Sequence, residues 1–330
     1  KIVEATFPYP ERLELALLPI RVLRRFGVLP LLHRSGFMKL LGYLGDMERL
    51  LPPLPPMSKR LNFAEQWNAQ GEQNARVGMI TGCVMQVMQT PVNEATAKVL
   101  TRAGCDVHAP KSQGCCGALH AHIGGMEEAK NFAKKNIEAF EQLEKERGEL
   151  DAIIINAAGC GASLKEYGGW FKGDKEWETR AQNFATKVKD VSEFLAEEPF
   201  KNRLQQRMNR TNARDVSTHK KTRFPIHDAA RETLPNTTGA STLQALGEEV
   251  ENRDDNQTAA INSLHATTNK NDAKNSVAKI AMTYHDACHL AHGQGIRTQP
   301  RELLNEVQDM EMIPLMESEM CCGSAGVYNI

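Results

Sequence analysis

Asp151-Ala152-Ile153-Ile154-Ile155-Asn156 is a short apolar run, and it leads straight to Gly159-Cys160-Gly161. An unbroken apolar run of this kind, with no polar alternation, marks a strand buried on both faces in a parallel sheet. Two similar strands are expected upstream. Val77–Thr81 runs into Gly82-Cys83, and Cys105–Ala109 leads to Cys115-Cys116-Gly117. Helices are expected between them. Pro91–Ala103 has Val92, Ala95, Val99 and Leu100 on its apolar face and is stopped by Gly104. Gly125–Arg147 carries a stripe of Met126, Ala129, Ala133, Ile137, Phe140 and Leu143. Strands alternating with helices favour an α/β fold, a parallel sheet with helices on its faces.

That fold decides where chemistry is sought. In open α/β sheets, ligands bind beyond the carboxyl ends of the strands. Cys83, Cys115, Cys116 and Cys160 all fall there, so four thiols from three separate loops can converge on one point.

The cysteine pattern is duplicated. Cys83 precedes Cys115-Cys116-Gly117 by 31 intervening residues, and Cys288 precedes Cys321-Cys322-Gly323 by 32. Adjacent cysteines do not readily pair with each other, because neighbouring Cα atoms sit about 3.8 Å apart, below the usual disulfide range. Vicinal thiols placed twice in the same frame therefore point to ligands of metal centres. The stretch around Cys288 repeats the first half's order. A strand is expected at Ala281–Tyr284, then His285-Asp286-Ala287-Cys288-His289, a helix near Pro300–Val307, a strand at Met312–Pro314, and the loop Glu317–Gly323.

Four segments are expected overall. Residues 1–74 form a helical arm, with helical spacing in Leu13, Leu17, Ile20, Leu23 and in Leu40, Leu41, Leu44, closed by the Pro52–Pro56 cluster. The arm is expected to pack on the protein's own body or on a partner subunit, with membrane-surface binding as the alternative. Residues 75–200 form the first cysteine-rich lobe and 280–330 the second. Residues 201–279 hold ten Asn and one aromatic, Phe224, and read as a disordered insertion.

Composition narrows the function classes. The 330 residues carry 40 basic and 41 acidic side chains, a net charge of −1, which gives no footprint for nucleic acid. No apolar run is long enough to span a membrane, and no leader of the secretory type stands at the start. Eight cysteines are too sparse for a secreted disulfide scaffold and suit metal ligation in a reducing compartment. Phosphate loops, dinucleotide fingerprints, nucleophile elbows and His-Glu-x-x-His are absent, so substrate oxidation is expected on another subunit.

Thiolates bind soft metals and iron–sulfur clusters. Paired Cys-x-x-Cys zinc knuckles are missing, and so is a ferredoxin run. Glycines beside Cys83, Cys116, Cys160 and Cys322 let backbone N–H groups approach sulfur. Cluster ligation leads on this reading, with structural zinc, thiol redox chemistry and inert buried cysteines left open. Cys105 lies outside the pattern and reads as core. His285, His289 and His292, like His120 and His122, are ligand or proton-handling candidates, although hydrogen-bonding a loop is the commoner fate of such residues. Asp286 is expected to brace its loop.

Thr81-Gly82-Cys83, Gln113-Gly114-Cys115-Cys116-Gly117-Ala118, Asn156–Ala162 with Lys165-Glu166-Tyr167-Gly168, Tyr284–His289 and Cys321–Gly326, in that order, resemble the cysteine-rich CCG domain family, in particular its glycolate oxidase iron–sulfur branch. The resemblance implies two lobes with an iron–sulfur cluster, of 4Fe–4S type, held by Cys83, Cys115, Cys116 and Cys160, and part of a second site at Cys288, Cys321 and Cys322. It implies an electron-transfer subunit that takes electrons from a flavin (FAD) subunit oxidising glycolate to glyoxylate and passes them towards a quinone-type acceptor. The location implied is cytoplasmic, peripheral at the inner membrane. Lactate, glycerol-3-phosphate and heterodisulfide-type complexes are the alternatives, followed by a scaffold that binds zinc or no metal. Against the family's pattern, the chain is expected to be a fragment lacking an N-terminal ferredoxin-like domain and the final Gly-Cys, and the 201–279 stretch is an addition.

Overall fold

The computed structural model describes residues 2–40, 42, 45, 48, 51–206, 279–307 and 310–320. The chain divides into a unit of residues 1–209 with 281–330 and a unit of 210–280, of which only residues 279 and 280 are among those described.

The main sheet has five strands: β1 (Gln66–Trp67), β2 (Ala75–Met79), β3 (Cys105–His108), β4 (Ala152–Ile155) and β5 (Val188–Asp190), in the order β1-β3-β2-β4-β5. β3, β2, β4 and β5 run parallel, with Val77 beside both Val107 and Ala152, and Ile153 beside Val188. β1 is antiparallel to β3 at the edge. All four residues of β4 are buried. Ile153 and Ile155 enter one core with Phe140, Phe171 and Phe184, while Ala152 and Ile154 enter the other with Val77, Leu100 and Phe194. Burial on both faces explains the unbroken apolar run, each buried Ile contributing about 2 kcal/mol. The Met126–Arg147 helix packs so tightly on β2 that a Cβ at Gly78 would lie 2.5 Å from the Phe140 ring.

Several sequence expectations shift. A separate helix, Cys83–Met88, precedes Thr90–Arg102, and the latter's buried face differs from the apolar one expected. Val92 is 42% exposed and Ala95 is exposed, whereas Asn93, Thr96, Ala97 and Leu100 are buried. Asn93 and Thr96 are drawn to the sheet because they hydrogen-bond the strand-end loops, and that rotates the helix. β1 and β5, two and three residues long, give no periodicity to detect. The polar stretch expected from 201 begins later, since residues 200–206 are helical, Phe200 stacks on Phe194 at 4.3 Å, and Leu204 packs on the second core. The rest of the 201–279 expectation lies outside the described residues, apart from residue 279.

In the arm, Leu13 and Leu17 of the Pro10–Arg25 helix are buried against Val87 of the Cys83–Met88 helix. Glu14, 3% exposed, accepts from Arg60 at 2.8 Å and pairs with Arg21 at 2.9 Å, tying the Met57–Leu61 helix to the same place. The arm thus packs on the protein's own body. Its other side keeps Leu15, Leu18, Val22 and Phe26 exposed, and Leu40 is 82% exposed; Leu41 and Leu44 lie outside the described residues.

The second segment forms a two-stranded sheet from β6 (Ile280–Met282) and β7 (Met310–Met312) with the helix Gln299–Asn305 between them. β7 begins two residues before the expected strand. A π-helical turn, His289–Gly293, follows Cys288.

Candidate thiol site

The described cysteines are Cys83, Cys105, Cys115, Cys116, Cys160 and Cys288, none in a disulfide. Cys105 is fully buried on β3, as expected of a core residue. Cys321 and Cys322 lie outside the described residues.

The first four thiols come together in neighbouring loops beyond β2, β3 and β4. Cys83 Sγ lies 3.5 Å from Cys115 Sγ, Cys115 neighbours Cys116, and Cys116 hydrogen-bonds Cys160. Among the described residues, no three His, Cys, Asp or Glu are grouped so that they could hold a metal ion. A site for one zinc ion would need its four ligands converged at about 2.3 Å. The four thiols are soft donors from separate loops, a donor set whose chemistry suits a sulfur-bridged iron group.

Three of the four thiols stand at or beside a helix start. Cys83 is the first residue of Cys83–Met88, with Gly82 at φ +67° as its cap. Cys116 precedes Gly117, the left-handed cap of Ala118–His122, and Cys160 is in the first turn of Ala158–Lys165. Helix starts carry N–H groups without helical partners and a positive dipole end, both of which favour thiolate. Gly117 N–H reaches Cys115 Sγ at 3.4 Å, and Val84 and Ala118 N–H groups act the same way on Cys83 and Cys116.

Cys83, Cys115 and Cys116 nevertheless hold their protons. The hydrogen bond with Cys115, then burial, raises Cys83 far above a normal thiol. Cys115 is pushed up to about 12, first by its hydrogen bond with Cys116 and with burial adding, against the opposing bond with Cys83. For Cys116, the bond with Cys115 favours the thiolate, but the bond with Cys160 and burial outweigh it. Proximity of several buried thiolates is costly unless a cationic centre shares them.

Three polar side chains position these loops. Gln113 accepts from Thr81 N–H at 2.9 Å and donates to the Met79 carbonyl at 3.1 Å, joining the first two loops. Asn93 donates to the Thr81 carbonyl at 2.9 Å and accepts from Asn156, which precedes the Cys160 turn, at 2.9 Å. Asn136, fully buried, accepts from Gly114 N–H and donates to the Cys115 carbonyl, both at 2.8 Å. It also donates to the Tyr167 hydroxyl at 3.1 Å, and that hydroxyl donates to the Cys116 carbonyl at 2.9 Å. No role for these residues was expected from the sequence. Buried Asn on helix faces otherwise read as apolar is the signal available.

Cys288 belongs to the second segment, which abuts the Cys160 helix. Gln294 donates to the Ala158 carbonyl at 2.9 Å, and its amide fills the space where a Cβ at Gly161 would lie. His122 and His289 stack at 5.8 Å. His292 bonds Arg297 and the Glu319 carbonyl, a loop-holding role, while His285 is exposed. His120 is buried against Phe132.

Asp286 does brace its loop. Its carboxylate, 3% exposed, accepts two bonds from Arg301, and its N–H donates to the Ser318 carbonyl at 2.8 Å. Residues shortly before Cys321 are thereby tied to the loop of Cys288. Arg301, then Ser318, holds the Asp286 carboxyl below the usual carboxylate range. A depressed acid stabilises the fold above its unfolded pKa of about 3.9 and loses that contribution as pH falls through the folded value. Arg301→Leu is expected to cost about 3 kcal/mol at pH 7 in urea unfolding, because it strands a buried carboxylate. The difference from wild type should shrink as pH falls below about 4 and vanish only below the depressed folded pKa of Asp286, where the wild-type carboxylate is lost too.

Residues 77–165 and 282–330 match the cysteine-rich domain (CCG) family model, and residues 2–51 match the glycolate oxidase iron–sulfur subunit linker region. The chain is similar to the probable glycolate oxidase iron–sulfur subunit of Bacillus subtilis, 32% identical over 98% of this chain and 56% of that protein. It is 33% identical to the glycolate oxidase iron–sulfur subunit of Escherichia coli over 56% of this chain and 45% of that one. Lactate utilization protein A of Geobacillus kaustophilus is 26% identical over 77% of this chain and 74% of its own. The chain thus spans about half the length of the two glycolate oxidase relatives it matches. No solved structure matches. The two segments that match the cysteine-rich CCG domain model carry the strand-end thiols and the Cys288 loop, so the likeness to that family falls on the residues of the site itself.

Proposed function

We propose that this chain is the iron–sulfur electron-transfer subunit of a glycolate oxidase complex. The observation that carries the reading is the set Cys83, Cys115, Cys116 and Cys160, four thiols brought together beyond three parallel strands. A cluster of 4Fe–4S type bound there supplies one-electron acceptance and donation. Cys83, Cys115, Cys116 and Cys160 are the ligands proposed for it. Gly117, Val84 and Ala118 contribute N–H groups to the sulfurs, and burial of Cys115 and Cys116 keeps water away. Cys288, with Cys321 and Cys322, contributes to a second site. The proposed partner is a flavin (FAD) subunit that oxidises glycolate to glyoxylate, with a quinone-type molecule as final acceptor. The proposed location is the cytoplasm, peripheral to the inner membrane; no helix among the described residues is long and apolar enough to cross one.

The likeness to lactate utilization protein A, which extends over 74% of that protein, favours lactate as the second reading. Anaerobic co-purification of the tagged chain with its native partners separates the two. Glycolate should reduce the complex and bleach its visible absorbance. Bleaching by lactate and not glycolate would replace the first substrate with the second.

A further inference from the structure

We infer that Asn136 and Tyr167 are positioning residues that aim the Gly117 N–H at the Cys115 sulfur and so set the reduction potential of the site. The redox half of this inference rests on the cluster reading above; the geometric half stands without it.

Three peptide groups of this turn are held from behind. Asn136 takes the Gly114 N–H and the Cys115 carbonyl, and Tyr167 takes the Cys116 carbonyl. The Cys116 carbonyl and the Gly117 N–H belong to one planar trans peptide, so they point in opposite directions. Holding that carbonyl on the Tyr167 hydroxyl at 2.9 Å turns the N–H the other way, onto Cys115 Sγ at 3.4 Å. The clamp and the sulfur contact are two ends of one rigid plate.

The hydroxyl has a single orientation. Tyr167 is fully buried, stacked on Phe184 at 5.4 Å and against Trp170 at 5.0 Å. Asn136 donates to its oxygen, which leaves its proton for the Cys116 carbonyl. Hydrogen bonds to cluster sulfurs draw off negative charge, favour the reduced state and raise the potential.

Tyr167→Phe removes the hydroxyl and keeps the ring. In the full chain, hydrogen exchange in the peptide covering residues 114–118 should speed up about fivefold, the effect of losing one buried hydrogen bond. The peptide covering residues 152–155 should not change. The midpoint potential of the anaerobically prepared protein should fall by about 40 mV, that fivefold converted at 59 mV per tenfold for one electron. Phe194→Leu loosens the core on the other face of the sheet and leaves the Tyr167 clamp untouched, so it should leave the potential unchanged. Unchanged exchange at 114–118, or a rise spread over the whole chain, overturns the clamp. A potential unmoved in Tyr167→Phe, or lowered equally in Phe194→Leu, overturns the redox role. A wild-type chain that takes up no iron sinks the cluster reading and the redox role together, and the exchange comparison still decides the clamp.

Discussion

Cys115→Ser/Cys116→Ser is expected to abolish iron binding at the first site while leaving the sheet folded. Cys115 contacts Cys83 and Cys116 interacts with Cys160, so losing both removes two of the four proposed ligands and their contacts with the other two. Serine oxygen is a hard donor that stays protonated and cannot replace a thiolate. Changes to outer-shell partners alone cost about 10- to 100-fold in metal affinity, so loss of two direct ligands should exceed about 100-fold. The measurement is iron per chain after anaerobic preparation, with thermal unfolding as a control on the fold. Unchanged iron would remove this pair from the site.

The second large effect is structural. Gly117 holds φ +81°, and a Cβ there would lie 2.8 Å from the Ala129 carbonyl oxygen and 3.1 Å from Ala129 Cα. The Met126–Arg147 helix backbone cannot yield without disturbing the Phe140 core. A β-branched residue adds left-handed strain to that clash, so Gly117→Val should cost about 4 kcal/mol in urea unfolding, with the m-value unchanged. The variant should also lose the Gly117 N–H contact with Cys115. A loss below about 1 kcal/mol would mean that the tight turn relaxes freely.

The parts that were legible follow from burial and spacing. β4 was visible because both faces of Ala152–Ile155 are covered, and no polar residue is tolerated there. The cysteines were visible because thiols at strand ends are rare and doubly placed. The bracing shell was not. Asn93 and Thr96 sit on a helix whose apolar residues Val92 and Ala95 face outward, so pattern alone turned that helix the wrong way. Asn136 lies within an apolar stripe and gives no periodic signal, and the hydroxyl of Tyr167 matters only once the Cys116 carbonyl is known to face it. Short edge strands such as Gln66–Trp67 are fixed by pairing with β3, a long-range contact.

Iron, zinc and acid-labile sulfide analysis with EPR on the anaerobically isolated full chain addresses the central claim most directly. The expected result is iron and sulfide in equal amounts, about four of each at the first site, with an EPR signal on reduction that disappears in Cys115→Ser/Cys116→Ser. Zinc without iron, or no metal at all, would contradict it.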